Sequence, residues 1–356
     1  MAEYAWTIIQ MVTTNTLMQQ SYHTDTGLQS NRWVTDTALH LIDHYQPQFI
    51  ILSYAQQYFA TRFTCHTVSG RAKLYDAVFD EVARFTEQSG FVPIVVGTGD
   101  MMPLAGTIDL SGLDGVAIVG KWSNRYAGLY GMSKQDINAL KNIAQVERIV
   151  DRDELIALFN GETGDSARLP DYLAVAREGY NFKSLFQQPI MIPACNEFIP
   201  VSTIMGNVSS ITEFGNLIHA NFEKIRMALI LIEGVGIKNF QLPCKPCANG
   251  IGWYCYEPGE AQHLAITKGR HHLFTYPADY KCDSADDEIK GYPFAGCLNT
   301  IYDNTLGNRI GSRSIVVGNQ GMAAPNITGN TIGDKWLAWN LYNQGCMTEI
   351  HNKNED

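Results

Sequence analysis

The chain lacks a long apolar run, an excess of positive charge and any tract of repeated or low-complexity sequence. Its longest clean apolar run, Met227 to Ile232, has the length of a strand rather than of a bilayer span. No membrane partner is therefore expected. Lys and Arg number 26 against 36 Asp and Glu, a formal net charge of −10, which argues against a nucleic-acid surface. Glu3 stands where a secretory leader would carry positive charge, so the expected localisation is cytoplasmic. No fixed repeat period suggests a solenoid or propeller. What is present is ordinary for a globular chain: 356 residues, 45% apolar and 17% charged, enough to bury the core of a large α/β domain with an insertion.

Cysteine is the exception. There are eight, and five of them (Cys244, Cys247, Cys255, Cys282 and Cys297) fall in one stretch. Thiolates two residues apart can converge on one cation, so Cys244 and Cys247, completed from Cys255, His263 and Cys282, form a candidate site for one Zn²⁺ or Fe ion. Buried thiols packing as small hydrophobes, or a redox pair, are the competing explanations. Arg270, His271 and His272 follow as a cationic cluster able to hold an anion, or simply as a solvated loop face.

The remaining chain alternates strands and helices. Phe49 to Ala55 is a short apolar run rich in Ile, of the kind buried on both faces of a parallel sheet. A polar elbow, Gln56 to Phe63, leads to a helix over about 70–89, and Phe91 to Met102 supplies a second strand and a second elbow. Helical spacing also covers 33–45 and 134–145, the latter with Ser133 and Asp136 arranged as a capping box. Strands are expected at Val146 to Val150, within Leu169 to Phe182, at Met227 to Ile232 and within Ser312 to Asn326. Short helices are expected at Asp151 to Phe159, around 211–223 and at Gly333 to Gly345. The three prolines of Gln187 to Thr203 suggest a loop or connection. Alternation of this kind is the signature of a doubly wound sheet. The expected layout is an α/β half over 1–186, a connection and further strand over 187–240, a loop-rich Cys/His insertion over 241–300, and a returning strand and helix over 301–356. Ligands in such sheets sit beyond the carboxyl ends of the strands. That places Tyr58, Arg62, Thr98 and Asp100 on the two elbows, and Glu233 after the apolar strand, as site candidates.

The phrases SYHTD (with His23 and Asp25), FIILSYAQQYFATR, YDAVFDEVARF, FVPIVVGTGDM and LPDYLAVAREGYNF resemble, in order and spacing, the type I phosphodiesterase/nucleotide pyrophosphatase branch of the alkaline-phosphatase superfamily. The likeness covers about residues 20–182. It implies a three-layer, mostly parallel doubly wound sheet and a phosphoric-ester hydrolase. The family's metal-binding Asp and His fall on Tyr58 and Arg62, and its Asp-His-Gly-Met phrase falls across Thr98, Gly99, Asp100 and Met101. A dinuclear zinc site is therefore not expected. The family's opening strand, ending in a metal-binding Asp, has its nearest match late, at Glu233, with Thr300 offering the hydroxyl; the chain would then be circularly permuted relative to the family.

Two main expectations and a lesser one follow. In the first the chain is a divergent hydrolase or lyase acting on a small phosphate- or sulfate-bearing anion. Tyr58, Arg62, Thr98 and the Arg270–His272 cluster would hold that anion, Glu233 or Asp100 would act as general base, and Thr300 would supply a hydroxyl. In the second it is a non-catalytic scaffold whose aromatic-rich second half forms a homo-oligomer interface. In the third the Cys/His stretch is itself a metal or redox site.

Overall fold

The computed structural model describes residues 29–64, 67–113, 116–119, 125–159, 169–183, 188–222 and 224–259, short pieces at 262–263, 265–266, 269–271 and 273, and one strand at 314–318. His23, Asp25, His272, Cys282, Cys297, Thr300 and the helix expected at Gly333 to Gly345 lie outside the described residues.

The architecture is mixed α/β. The main elements of the larger sheet are α1 (Ser30–Tyr45), β1 (Phe49–Tyr54), α2 (Gln56–Phe63), α3 (Val68–Ser89) and β2 (Val92–Gly97). A second region holds β3 (Met101–Pro103), β4 (Gly106–Ile108), β5 (Val116–Val119), β6 (Tyr126–Tyr130), α4 (Lys134–Lys141), β7 (Val146–Asp151), α5 (Arg152–Leu158), β8 (Tyr172–Ala176), β9 (Tyr180–Phe182) and β10 (Met191–Pro193). The chain returns through β11 (Phe198–Thr203), α6 (Phe214–Asn221) and β12 (Met227–Ile232), then β13 (Lys245–Ala248), the short hairpin β14 (Gly250–Ile251) and β15 (Tyr254–Cys255), and β16 (Ser314–Gly318).

Six strands form the main sheet in the order β13-β11-β2-β12-β1-β16. Its centre is parallel: β12 pairs with β1 on one side and β2 on the other, and β16 extends β1 in parallel. Every residue of β1 and β12 is buried, which is why these strands are continuous apolar runs rather than alternating ones. Successive residues nevertheless serve opposite faces. Ile50, Leu52, Ala228 and Ile230 meet Trp33, Val34 and Ala38 of α1 and Val78, Val82 and Phe85 of α3. Phe49, Ile51, Leu229 and Leu231 meet Phe214 and Ile218 of α6, with Phe222 just beyond it. The buried positions of α3 recur at three- and four-residue spacing, and each fully buried side chain of this kind stabilises the fold by roughly 1.5–3 kcal/mol.

Several expectations require correction. The alternation between Met102 and Phe182 does not extend the main sheet. Strands β5, β6, β8 and β7 form a separate four-stranded antiparallel sheet in that order. The burial pattern of β6, with Ala127 and Leu129 buried between half-buried neighbours, is that of a strand with one covered face. The proline-rich stretch is not simply a loop: it holds β10 and β11, and β11 runs antiparallel to β2. In β13, Cys247 lies opposite Ile199 of β11, so the Cys-rich stretch begins inside the main sheet rather than as an irregular insertion. The elbow after β1 is also more regular than expected, being the helix α2.

The capping box at Ser133 is formed: its Oγ accepts from Asp136 N at 3.1 Å, and Asp136 Oδ2 accepts from Ser133 N at 2.9 Å. Ser133→Ala is expected to cost about 1 kcal/mol, seen as a lower midpoint in urea denaturation with the slope unchanged. Among the described residues no helix is long and apolar enough to cross a membrane.

Candidate functional site

The three central parallel strands finish level with one another. Ile232 pairs with Tyr54 of β1 and with Gly97 of β2, so Ala55, Glu233 and Thr98 leave the sheet side by side. This is where the sheet's topology puts ligands, and the residues there are polar yet buried: Gln57, Thr98, Glu233 and Gln262 have no exposure, and Arg62 and His263 almost none.

Glu233 is the centre. His263 Nε2 lies 2.7 Å from Glu233 Oε1, a distance at which the ring N–H donates to the carboxylate. Ser53 Oγ, from β1, donates to the same oxygen at 3.2 Å. The other oxygen, Oε2, has no hydrogen-bond partner among the described residues. The Glu233 backbone is fixed independently: its carbonyl and that of Tyr54 both accept from Gln57 Nε2 at 2.7 Å. Gln57 is positioned in turn by Asn31 of α1, whose Nδ2 donates to Gln57 Oε1 at 2.9 Å. Asn31 Oδ1 accepts the Gln56 N–H at the start of α2.

Beside this pair sits α2. Arg62 NH1 donates to the Tyr58 hydroxyl one helical turn earlier, at 3.1 Å, and the guanidinium lies 5.6 Å from the centroids of the Tyr58 and Phe63 rings. Arg62 Nε is buried with no partner among the described residues. Burial pushes the Tyr58 hydroxyl up to about 12, Arg62 pulls it back, and the charges of Glu257 and Glu233 add to the rise. Tyr58 is thus a neutral donor or acceptor at any ordinary pH. Gly234, at φ +71°, lets the turn after β12 pass against the Tyr58 ring, where a Cβ would lie 3.0 Å from Tyr58 Cδ2.

Asp100 and Thr98 have structural work. Asp100 Oδ1 accepts from Gly236 N at 3.1 Å and Asn239 Nδ2 at 2.9 Å, and Oδ2 from Lys238 N at 3.3 Å. Thr98 Oγ1 accepts from Gly234 N and donates to the Ile232 carbonyl. Both residues clamp the turn after β12 to the end of β2. The hydrogen-bonding capacity of both is largely taken up within this clamp, by backbone groups and by the Asn239 side chain.

No protein-family model, curated protein or solved structure matches the chain.

Among the described residues the cysteine–histidine metal set is not brought together. Cys244 is exposed and Cys247 buried in the sheet core, Cys255 faces Cys195, and His263 is on Glu233. Cys244 and Cys247 are three residues apart, the first exposed before β13 and the second buried within it, so their spacing does not bring the thiols together. Among the described residues no group of three or more His, Cys, Asp and Glu side chains is arranged to hold a metal ion. The donor set at the strand ends fits a metal poorly for its own reason: Arg62 offers only donors where a cation would need an acceptor. The cationic cluster is also dispersed in role, for His271 stacks on Tyr256 with ring centroids 6.0 Å apart, while Arg270 is exposed.

Ser53, Gln57, Asn31, Gln262, Asn249 and Cys195 were not expected at any site. Gln262 Nε2 donates to the Thr98 carbonyl at 2.9 Å and to Asn249 Oδ1 at 2.7 Å, bringing the segment that carries His263 onto the strand ends. A signal for Gln57 existed: two glutamines directly after a fully apolar strand.

Proposed function

We propose that the chain is a divergent phosphodiesterase-like hydrolase or lyase acting on a small phosphate- or sulfate-bearing anion, on an alkaline-phosphatase-like three-layer α/β frame. The observation that carries this reading is the open hydrogen-bonding capacity at the ends of β1 and β12. Glu233 Oε2 and Arg62 Nε, an acceptor and a donor, are both buried without partners among the described residues. Leaving such groups unpaired costs on the order of 1–3 kcal/mol each, a cost a bound anion and its attacking water would remove. Strongly paired titratable groups at the carboxyl ends of parallel strands are functional candidates on physical grounds.

In this reading Glu233 holds the His263 ring, and His263 moves the proton between water or a leaving oxygen and solvent. Arg62, braced by Tyr58, supplies the positive charge opposite the anionic oxygens, in the place where the family it resembles carries metal ligands.

A second reading, a scaffold that keeps the frame without chemistry, is favoured by the saturation of Asp100 and by the near-complete burial of His263. One experiment separates the two. The purified full chain is assayed against 4-nitrophenyl phosphate, bis(4-nitrophenyl) phosphate and 4-nitrocatechol sulfate, alongside Glu233→Gln, His263→Gln and Arg62→Met. Turnover of one ester, unaffected by EDTA and lowered by about 10²-fold or more in kcat/KM by each substitution, is the expected result. Absence of turnover, or turnover indifferent to Glu233→Gln, would overturn the proposal and leave the scaffold.

A further inference from the structure

The contact that the cysteine spacing gave no hint of is between Cys195 and Cys255, whose sulfurs lie 3.8 Å apart, both as free thiols. Each is held on a clamped backbone. The Cys195 N–H donates to Glu178 Oε1 at 3.2 Å, from the turn between β8 and β9. Cys255 lies in β15, and the Tyr126 hydroxyl of β6 donates to its carbonyl at 2.8 Å and accepts its N–H at 3.3 Å. Next to Tyr126 is Arg125, nine-tenths buried and anchored through Nε to the Ala176 carbonyl at 3.3 Å and through NH2 to Glu147 at 3.2 Å. Its guanidinium also reaches Cys195.

The two thiols differ in kind. Cys195 is half-buried, whereas Cys255 is buried. The hydrogen bond from Cys255 and, against some burial, the Arg125 charge lower the Cys195 thiol to about 6. The hydrogen bond with Cys195, then burial, push Cys255 far upward. Cys195, the more exposed of the two and the one near Arg125, is therefore the thiol placed to ionise and attack, with Cys255 in contact as its partner.

We propose that Cys195 and Cys255 form a peroxide-reactive dithiol, a site of reversible oxidation for small hydroperoxides that is distinct from Glu233 and His263. The Cys195 thiolate attacks one oxygen of the hydroperoxide, the O–O bond breaks, and Cys195 becomes a sulfenic acid while the departing oxygen leaves as water after taking a proton. The Cys255 sulfur then attacks the sulfenic sulfur, and its thiol proton leaves with the hydroxyl as a second water. For hydrogen peroxide the balance is two thiols and one peroxide giving one disulfide and two waters, the peroxide gaining the two electrons the thiols lose. The sulfurs need close by less than about 2 Å to reach disulfide distance, with both main chains already fixed close together. This inference does not depend on the hydrolase reading.

The test is oxidation of the full-length chain with hydrogen peroxide, followed by alkylation, peptide mapping and intact mass. The expected product is a peptide joining Cys195 to Cys255, lost on treatment with dithiothreitol. In Cys255→Ser the reaction stops at Cys195, captured as a dimedone adduct. In Arg125→Gln oxidation of Cys195 slows by about tenfold. The map of the unsubstituted chain decides the matter even if a variant fails to fold. Both cysteines remaining alkylatable after peroxide, or a disulfide joining either of them to another cysteine, would overturn the proposal.

Discussion

Gly97→Ala is expected to destabilise the protein by about 3 kcal/mol or more, because the last residue of β2 has no room for a methyl group. A Cβ there would collide with the Val235 carbonyl oxygen and come within 2.8 Å of Pro200 Cγ and 3.2 Å of the Phe240 ring. Of these the carbonyl matters most, since it cannot step aside freely: it already accepts the Gly99 N–H at 3.2 Å. The turn it belongs to is also held by Asp100 through Gly236 and Lys238. Relief of the clash therefore means breaking hydrogen bonds at the strand ends or moving β2 against β12. Gly215→Ala in α6 is the control. Nothing lies within 4 Å of its Cβ, and alanine in a helix is expected to stabilise by roughly 0.5–1 kcal/mol. Melting curves should move in opposite directions, down by about 4 °C or more for Gly97→Ala and slightly up for Gly215→Ala. A Gly97→Ala melting temperature equal to that of the unsubstituted chain would mean that the turn after β12 does not pack on the end of β2.

The strength of that packing bears on how much of the molecule its sequence discloses. Unbroken apolar runs at β1 and β12 announce a parallel centre, because only strands covered on both faces can be apolar throughout. The helical spacing of Leu74, Val78, Val82 and Phe85 announces α3, although Tyr75 and Phe79 rather than Leu74 complete its buried face, and Ser133 with Asp136 announces the start of α4. All of these are local signals. Sheet membership is not local, and β5 to β8 alternate with helices as a parallel sheet would while pairing antiparallel among themselves. β11 hides behind its prolines: Pro200 faces Pro246 of β13 across the ladder, in positions where a missing N–H is tolerated near a sheet edge. At the site, Glu233 was visible as an acid ending an apolar strand. Its partner His263 was visible only as one of several histidines in a Cys-rich stretch, where spacing pointed to a metal. What joins His263 to Glu233 is the Gln262 amide docked on Thr98 and Asn249, a contact over 164 residues from Thr98 that no periodicity encodes. Cys195 and Cys255, 60 residues apart, are hidden for the same reason.

Glu233 and His263 are expected to behave as one unit, and a double-mutant cycle measures that. Glu233→Leu removes the acceptor shared by His263 Nε2 and Ser53 Oγ. His263→Leu leaves a buried carboxylate with only Ser53. Removing one partner and leaving the other polar group buried costs about 1–3 kcal/mol, more where that group is charged, so each single variant should lose about 3 kcal/mol in urea denaturation. The double variant removes both halves and fills the space with apolar groups, so neither Glu233 nor His263 is left buried facing a missing partner. Its loss should fall short of the sum by about 2 kcal/mol, within the range of directly contacting residues. Ser53→Ala is expected to lose only about 1 kcal/mol, since its own hydroxyl goes with it and Glu233 keeps His263. Additivity of the two leucine substitutions to within about 0.5 kcal/mol would show that the 2.7 Å contact carries no coupling. A coupled pair fixes the one geometry in which a buried carboxylate can aim an imidazole at the ends of β1 and β12, and that aim is what any acid–base chemistry at this sheet edge requires.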